Sequence, residues 1–511
     1  MSWKVLVFAG MLVVVTAASG RADVRLPAVF SDNLVLQQEM PVPVWGWADP
    51  GEQVTVTCQK SSAVTVADAD GCWRVSLPAL RPSPVTTLTV RGSNTLTIAN
   101  VLVGEVWLCS GQSNMAMSVS RSANPKEAEE QATHPEIRFF QTTSMHAATP
   151  QDDCEGSWVV CSPETVGRFS AAGYFFAEEL HRRLGVPVGM LQSAVGGTAA
   201  EAWTSRESFE SSAEFRPLLA ATDQVAKDFP GAVAAYKEQL AQWQKEQRTA
   251  RQDLNNRRRP PQASYKNLPT LLFNGKIAPL IPYAIRGAIW YQGENNARGK
   301  RAFDYRHLLP LMVDGWRKTW GQGDFPFIAV QLPGYRQPAA VPGESDWAVI
   351  RESFVKALAC RNTGLAITID LGEAEDIHPR RKQEVGSRLA QWARAEVYGE
   401  SVASCGPLFK QAQFSGNRCV ISFDHAADGL VAKGGEPLKQ FAIAGADRRF
   451  HWADAIVEDG SNVVVSSKNV PKPVAVRYAW SDNPDGCNLF STAGLPASPF
   501  RTDDWPVVAA E

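Results

Sequence analysis

The sequence predicts an α/β protein: a largely parallel sheet flanked by helices, with β-rich regions at both ends of the chain. Two observations predict this fold class. Between residues 101 and 404, short apolar segments with strand character alternate with amphipathic helical segments, the pattern of a parallel sheet buried on both faces. On either side of that stretch, Val- and Thr-rich segments with closely spaced turn residues indicate small β-structures.

The composition of the 511-residue chain is that of a globular protein. Hydrophobic residues make up 44% and charged residues 20%, which is enough apolar material for a sizeable core. Lys and Arg number 51 against 53 Asp and Glu, a net charge of -2. A nucleic-acid-binding protein needs a basic surplus, so we expect no nucleic-acid partner.

The first residues have the pattern of a secretory signal. Lys4 is followed by an almost wholly apolar segment, Val5 to Ala17, and then by small residues. This segment is shorter than the roughly 20 residues that a membrane span needs. We expect residues 1–22 to be removed and the mature protein, without a membrane span, to be extracytoplasmic, either periplasmic or secreted. The alternative is an uncleaved N-terminal anchor.

Three regions follow the predicted signal. Residues 23–100 predict a β-sandwich-like N-terminal domain, and residues 405–511 a β-rich C-terminal domain. Residues 101–404 predict the α/β domain, interrupted at about 220–262 by a helical insertion. The apolar residues on one face of the inserted helix recur at spacings of 3, 4 and 3: Val233, Tyr236, Leu240 and Trp243.

Nine cysteines suit an oxidising compartment. Their number is odd, so at least one thiol is free, and the sequence leaves the connectivity open. No cysteine or histidine spacing is typical of zinc, and no metal site is expected. Three pairs are disulfide candidates: Cys58 with Cys72, Cys154 with Cys161, and Cys405 with Cys419.

Polar segments follow four of the predicted strands. Ligands of open α/β sheets bind outside the carboxyl ends of the strands, so these segments are the candidate site. In the first, GQSNM, Ser113 either lies exposed on a strand-to-helix turn with its amide facing an oxyanion or caps a helix. In the second, Gly196 and Gly197 either let an amide approach a negative charge or form an ordinary turn.

The other two segments carry side-chain amides and a histidine. In QGENN, which spans residues 292–296, the amides either complete an oxyanion hole or cap the strand. In DIHP, His378 lies between a strand and the last helix, where a general base is needed. Asp376, two residues earlier, would orient the imidazole. The alternative is a surface-loop histidine.

Taken in order, these segments resemble the SGNH hydrolases, and more closely the sialate O-acetylesterase family of secreted carbohydrate esterases. The resemblance covers nearly the whole mature chain. The similar segments include FSDNLVLQ, PVWGWADPGE, VWLCSGQSNM, SAVGGTAAEAW, LFNGKIAPL, WYQGENNA, DIHPRRKQEVGSRLA and GLPASPFRTDDW.

The resemblance implies a serine esterase with no metal or organic cofactor. Its nucleophile falls on Ser113 and its base on His378. The acid is left open: Asp376 fits the DIHP form of this family, Glu375 has the spacing of many SGNH enzymes, and some relatives use a Ser-His dyad.

The resemblance also implies an oxyanion hole and substrate contacts. Besides Ser113, the hole falls on Gly196 or Gly197 and on an amide of the QGENN segment. Asn295 stands where the family commonly has Ser or Ala, so the hole amide is that of Asn295, Asn296 or Gln292. The implied substrate-binding residues are Gln112, Gln292 and Glu294.

The implied reaction is removal of O-acetyl groups from sugars, in the first place from O-acetylated sialic acids. The alternatives are an acetylxylan or other plant-polysaccharide esterase, and a noncatalytic carbohydrate-binding protein. A sialate site needs a cation for the substrate carboxylate. The candidates are Arg206, Arg298 and Arg351. Nothing in the sequence indicates the oligomeric state.

Overall fold

In the computed structural model, which describes residues 23–143, 145–249 and 260–506, the N-terminal region consists of β-structure. The predicted signal at residues 1–22 and part of the predicted insertion, residues 250–259, lie outside the described residues. Apolar residues alternate along several of these strands, so one face of each is buried. The strands are β1 (Val35–Gln37), β2 (Val42–Trp47), β3 (Gln53–Cys58), β4 (Ser61–Val66), β5 (Cys72–Leu77) and β6 (Ser83–Arg91).

A single long strand, β7 (Thr95–Gly111), joins the N-terminal β-structure to the α/β region. Its first part pairs with β6 and β1, and its second part lies inside the central sheet. Val56 of the N-terminal region and Trp107 of β7 belong to one continuous hydrophobic core. The boundary predicted at residue 100 therefore falls within one strand and one core.

The α/β region alternates strands with helices, as the sequence predicts. Several of its strands, among them β11 and β12 below, are buried at every residue because helices cover both faces. Its elements are α1 (Ser113–Ala116), α2 (Pro125–Gln131), β8 (Ile137–Thr142), β9 (Gly156–Val160), α3 (Ala171–Leu184), β10 (Val188–Ala194), α4 (Arg206–Ser211), α5 (Leu219–Ala226), α6 (Phe229–Thr249), β11 (Gly287–Tyr291), α7 (Gly299–Trp320), β12 (Phe327–Gln331), α8 (Asp346–Ala357), β13 (Thr363–Ile367) and α9 (Lys382–Glu396).

The central sheet has the strand order β13-β12-β11-β7-β10-β8-β9. All neighbours are parallel except β8 and β9. The chain builds outward from β7 in one direction with β8 and β10, and then in the other with β11, β12 and β13. A crevice at the carboxyl ends of the strands is expected where this direction changes, which here is beside β7.

The helix of the predicted insertion is present as α6. Val233, Tyr236, Leu240 and Trp243 all lie on it. In the part of the chain that the structure describes, neither α6 nor any other helix is long and apolar enough to cross a membrane.

The C-terminal region has a hydrophobic core of its own, built around residues such as Ile421, Val463 and Tyr478. It is joined to the α/β region by the fully buried Arg351, whose guanidinium donates to the carbonyls of Ser481 and Asp482 at 2.7 and 2.9 Å. The strands are β14 (Leu408–Ser415), β15 (Arg418–Asp424), β16 (Leu430–Ala432), β17 (Phe441–Ala444), β18 (Phe450–Trp452), β19 (Asp454–Glu458), β20 (Asn462–Ser466), β21 (Ala475–Tyr478), β22 (Leu489–Ser491) and β23 (Phe500–Arg501).

The structure corrects the disulfide candidates, because all nine cysteines are free thiols. The members of the proposed pairs lie in different surroundings. Cys58 is buried whereas Cys72 is exposed, and Cys405 packs in the core of the α/β region whereas Cys419 packs in the C-terminal core. Cys154 and Cys161 flank opposite ends of β9. A disulfide requires two Cβ atoms within about 4.5 Å, which proximity in sequence does not ensure.

Candidate active site

The turn after β7 brings Ser113 to the carboxyl edge of the sheet. Gly111 has φ 140°, and a Cβ at this position would lie 2.2 Å from the Tyr291 carbonyl oxygen. Only glycine lets the two strands approach so closely in this conformation. The next amide, of Gln112, donates to the same carbonyl at 2.9 Å, and Ser113 then begins α1.

The segment between β13 and α9 brings His378 to this serine. The distance between His378 Nε2 and Ser113 Oγ is 2.9 Å. Asp376 Oδ1 lies 3.3 Å from His378 Nδ1 and also accepts the His378 backbone N–H at 2.8 Å. The Glu375 carboxylate instead accepts a hydrogen bond from the Gln337 amide. The structure therefore aligns Ser113, His378 and Asp376.

The surroundings of His378 favour the neutral imidazole. Burial lowers the pKa of His378 below its ordinary value, and the positive charges of Lys382 and Arg121 lower it further. The Asp376 carboxylate acts in the opposite direction, but its side chain is 54% exposed, so water screens part of its charge. A neutral imidazole next to a serine hydroxyl can accept its proton.

The glycine turn after β10 borders the other side of Ser113. A Cβ on Gly196 would lie 3.3 Å from the Ser113 Cβ, so a larger residue would crowd the serine. Within the described residues, the amides of Ser113, Gly196 and Gly197 donate to no protein acceptor. Asn295 Nδ2 donates to the Gly197 carbonyl at 2.9 Å. The three backbone amides are therefore available to donate to a negatively charged oxygen.

Two residues of the QGENN segment lie beneath this turn, where no substrate reaches them. Gln292 and Asn296 are fully buried. Gln292 Nε2 donates to the Thr198 carbonyl at 3.1 Å and to Asn296 Oδ1 at 2.7 Å, and Asn296 Nδ2 donates to Glu201 at 2.9 Å. Their positions connect β11 to the chain that follows the glycine turn.

Gln112 and Glu294 are also in the interior. Gln112 is 3% exposed, and its Oε1 has no partner among the described residues. The Glu294 carboxylate accepts a hydrogen bond from Asn114, the residue after the serine. Burial raises the pKa of Glu294. Asn114 carries no functional signal in the sequence, because an asparagine at the start of a helix is ordinary.

The three arginine candidates for a carboxylate-binding cation differ in their availability. Arg351 is fully buried, and its guanidinium donates its hydrogen bonds to main-chain carbonyls. It therefore cannot contact a substrate. Arg206 forms ion pairs with acidic side chains of its own region. Arg298 is exposed at the start of α7.

The structure adds a cation that the sequence analysis missed. Lys266 Nζ lies 2.9 Å from the place that a Cβ on Gly197 would occupy. The lysine is half-buried, and burial lowers its pKa. It follows the insertion in a segment without strand or helix pattern, so no sequence signal marked it. Lys266 places a positive charge beside the glycine turn.

No cluster of His, Cys, Asp and Glu able to hold a metal ion is present in the described ranges.

The chain is similar to carbohydrate esterases in both sequence and structure. Residues 103–251 and 233–395 match the family model described as "Carbohydrate esterase, sialic acid-specific acetylesterase". The crystal structure of a carbohydrate acetylesterase from Xanthomonas citri is 38% identical, with a TM-score of 0.81, and the match covers 94% of this chain and 100% of that one. The chain therefore has the fold of a carbohydrate esterase.

Two mammalian relatives make the assignment more specific. The sialate O-acetylesterase of Mus musculus is 30% identical over 97% of each chain. That of Homo sapiens is 26% identical, covering 93% of this chain and 92% of its own. The chain belongs to the sialate O-acetylesterase family.

Proposed function

We propose that this esterase removes O-acetyl groups from sugars by an SGNH-type serine mechanism, with Ser113 as nucleophile, His378 as general base and Asp376 as the orienting acid. The observation that carries this proposal is the 2.9 Å distance between Ser113 Oγ and His378 Nε2. It joins a serine at the end of the central strand to a histidine more than 260 residues later in the chain.

The first half of the reaction forms an acetyl-enzyme. Ser113 Oγ attacks the acetyl carbonyl carbon while its proton passes to His378 Nε2. The carbonyl oxygen becomes negatively charged and is received by the amides of Ser113 and of Gly196 or Gly197. A donor of this kind contributes about 3 kcal/mol to the transition state. The bond to the sugar oxygen then breaks, and His378 protonates that oxygen.

The second half releases acetate. A water molecule gives a proton to His378 Nε2 and attacks the acetyl carbon, and Ser113 leaves with that proton. Asn295 keeps the glycine turn in place through its bond to the Gly197 carbonyl. Gln292 and Asn296 support the turn from beneath, so the second N–H of the Asn295 side chain is the side-chain candidate for the oxyanion hole.

The substrate we propose is an O-acetylated sialic acid. The sialate O-acetylesterases among the relatives support it, and so does Lys266, whose ammonium beside Gly197 can pair with the carboxylate of an acidic sugar. Acetylxylan is the competing substrate, and its neutral backbone needs no such cation. Lys266→Met should lower kcat/KM for acetylated sialic acid about tenfold and leave a neutral acetyl ester unchanged.

We also propose that the protein is exported, on the support of the signal pattern at residues 1–22. Mass spectrometry of the mature protein should find its N-terminus between Gly20 and Asp23. An intact Met1 in a membrane fraction would instead support an anchor.

Acetate release from a panel of O-acetylated sialic acids, acetylxylan and acetylated monosaccharides tests the function. Wild type should release acetate fastest from the sialic acids, and Ser113→Ala should release none above background. Preference for acetylxylan would replace the substrate proposal. Absence of release from every substrate, together with retained sugar binding, would favour a noncatalytic protein.

A further inference from the structure

A buried lysine and a buried glutamate lie directly behind the Ser113–His378 pair. Lys382, the first residue of α9, is 0% exposed, and Glu294 is 6% exposed. Removing such charges from water costs several kcal/mol per ion unless other groups compensate. The reaction proposed above uses neither of them, so their presence at this place requires another explanation.

Lys382 holds the loop of His378 from one side. Its Nζ donates to the Pro379 carbonyl at 2.8 Å and to Asn114 Oδ1 at 2.6 Å. Pro379 directly follows His378, and Asn114 directly follows Ser113. One ammonium group therefore connects the two segments that carry the reacting side chains.

Asn114 holds the same loop from the other side. Its Nδ2 donates to the Ile377 carbonyl at 3.0 Å and to the Glu294 carboxylate. Ile377 directly precedes His378. The carbonyls of the residues on both sides of the histidine are therefore held, that of Ile377 by Asn114 and that of Pro379 by Lys382. Asn114 is fully buried, and its amide oxygen and nitrogen are both engaged.

We propose that Lys382, Asn114 and Glu294 form a buried clamp that positions the His378 loop against the Ser113 turn. This role depends on Ser113 and His378 being the reacting pair of the proposed function. The three residues do not touch the substrate. They act through the loop, because a displacement of about 1 Å between nucleophile and base is enough to lower a rate about a hundredfold.

The clamp also has an electrostatic consequence for the base. The charges that act on His378 are Asp376, which raises its pKa, and Lys382 and Arg121, which lower it. Glu294, Glu373 and Asp376 in turn favour the charged form of Lys382, although burial lowers the pKa of this lysine to about 7. Loss of the Lys382 charge should therefore raise the His378 pKa and move the acidic limb of the rate profile to higher pH.

Lys382→Met tests the clamp, because methionine keeps most of the side-chain volume and removes the ammonium. We expect kcat to fall about tenfold to a hundredfold with KM changed by less than about twofold. The acidic limb of the kcat–pH profile should move to higher pH by roughly half a pH unit. Asn114→Ala should lower kcat to a similar extent with a smaller shift, because the lysine charge remains.

Lys276→Met is the matched control. Lys276 is another buried lysine, 3% exposed, and its Nζ donates to the Thr142 carbonyl. This variant should lose stability without moving the acidic limb. If Lys382→Met does not fold because Glu294 is left without its counter-charge, the double variant Lys382→Met with Glu294→Gln removes both charges and should show the same loss of kcat and the same shift.

Labelling with a fluorophosphonate counts the reactive serines in every preparation and separates the possible failures. Labelling of wild type but not of Ser113→Ala is required first, and its absence would overturn the mechanism itself. With labelling established, a reduced kcat per labelled serine and a shifted limb support the clamp. The clamp is overturned if both the single and the double variant keep the wild-type kcat per labelled serine. It is also overturned if the acidic limb of the rate profile is unshifted in both variants.

Discussion

The two halves of the proposed active site are built in different ways. Ser113 follows β7, the central strand of the sheet, and the backbone of its turn is held by main-chain contact with β11 at Tyr291. His378 lies on an irregular segment between the edge strand β13 and α9. The carbonyls on both sides of this histidine are held by the side chains of Asn114 and Lys382.

This difference predicts how each half responds to substitution. On the serine side, the sheet fixes the backbone of the turn, so a change in that backbone should cost stability. On the histidine side, side chains hold a loop outside the sheet, so a change in the loop itself should alter the chemistry and leave the fold nearly intact. Substitutions on both sides test this difference.

Ser113→Ala should lower kcat at least about a thousandfold, because it removes the hydroxyl that contacts His378 Nε2. The midpoint of thermal unfolding should barely change, since only a hydroxyl is removed. Steady-state kinetics and a thermal melt measure the two quantities. The control is Ser120→Ala, which changes an exposed serine close to Ser113 in the sequence. Comparable turnover in Ser113→Ala would rule this serine out as nucleophile.

Gly111→Ala should destabilise the fold by about 3 kcal/mol or more, because the added Cβ meets a carbonyl at a φ that alanine avoids. Gly185→Ala is the matched control: it also has positive φ, 66°, but no atom within 4 Å of an added Cβ. The control should lose only about 1 kcal/mol. Equal losses of the free energy of unfolding in urea would show that the contact with β11 is unimportant.

Asp376→Asn should lower kcat about tenfold, less than His378→Ala, because the carboxylate is half-exposed and contacts the imidazole at 3.3 Å. Glu375→Gln should have little effect, since this carboxylate contacts Gln337. Thermal stability should change little in either variant. A strong loss of kcat in Glu375→Gln together with a near-normal kcat in Asp376→Asn would make Glu375 the acid. Small losses of kcat in both variants would favour a Ser-His dyad.

The smallest expected effect is a shift of the acidic limb in the dependence of activity on pH. The reaction needs neutral His378, and burial lowers the pKa of this group below its ordinary value of 6.5. Activity should therefore persist below pH 6.5 and be lost as the pH falls through the lowered pKa. In Asp376→Asn, the loss of a negative charge should move this acidic limb to still lower pH. A wild-type limb above pH 7 in kcat/KM would contradict the environment described for His378.

The alternation of apolar strands and amphipathic helices between residues 101 and 404 was sufficient to predict the α/β fold, and the flanks were correctly predicted as β-rich. The extent of β7 was not predictable. This strand covers residues 95–111 and crosses residue 100, near which the sequence pattern changes. Strand pattern reports which face is buried, but not how far a strand continues into a neighbouring sheet.

Within the site, the sequence was most informative where function depends on the backbone. The ends of β7 and β10 pointed to Ser113 and to Gly196, because a parallel sheet gathers its strand ends at one edge. The choice between Asp376 and Glu375 remained open, since both lie on one short loop. Their distances to other side chains, which differ in the structure, depend on how that loop folds.

The fold class, the polar segments at the strand ends and the resemblance of those segments to one esterase family follow from the sequence alone, because these features are local patterns in order along the chain. The contact of Lys382 with Asn114, the position of Lys266 beside Gly197 and the free state of the nine cysteines became visible only in the folded chain. Such contacts join residues that are distant in the chain, and their geometry follows from the packing of whole elements against one another.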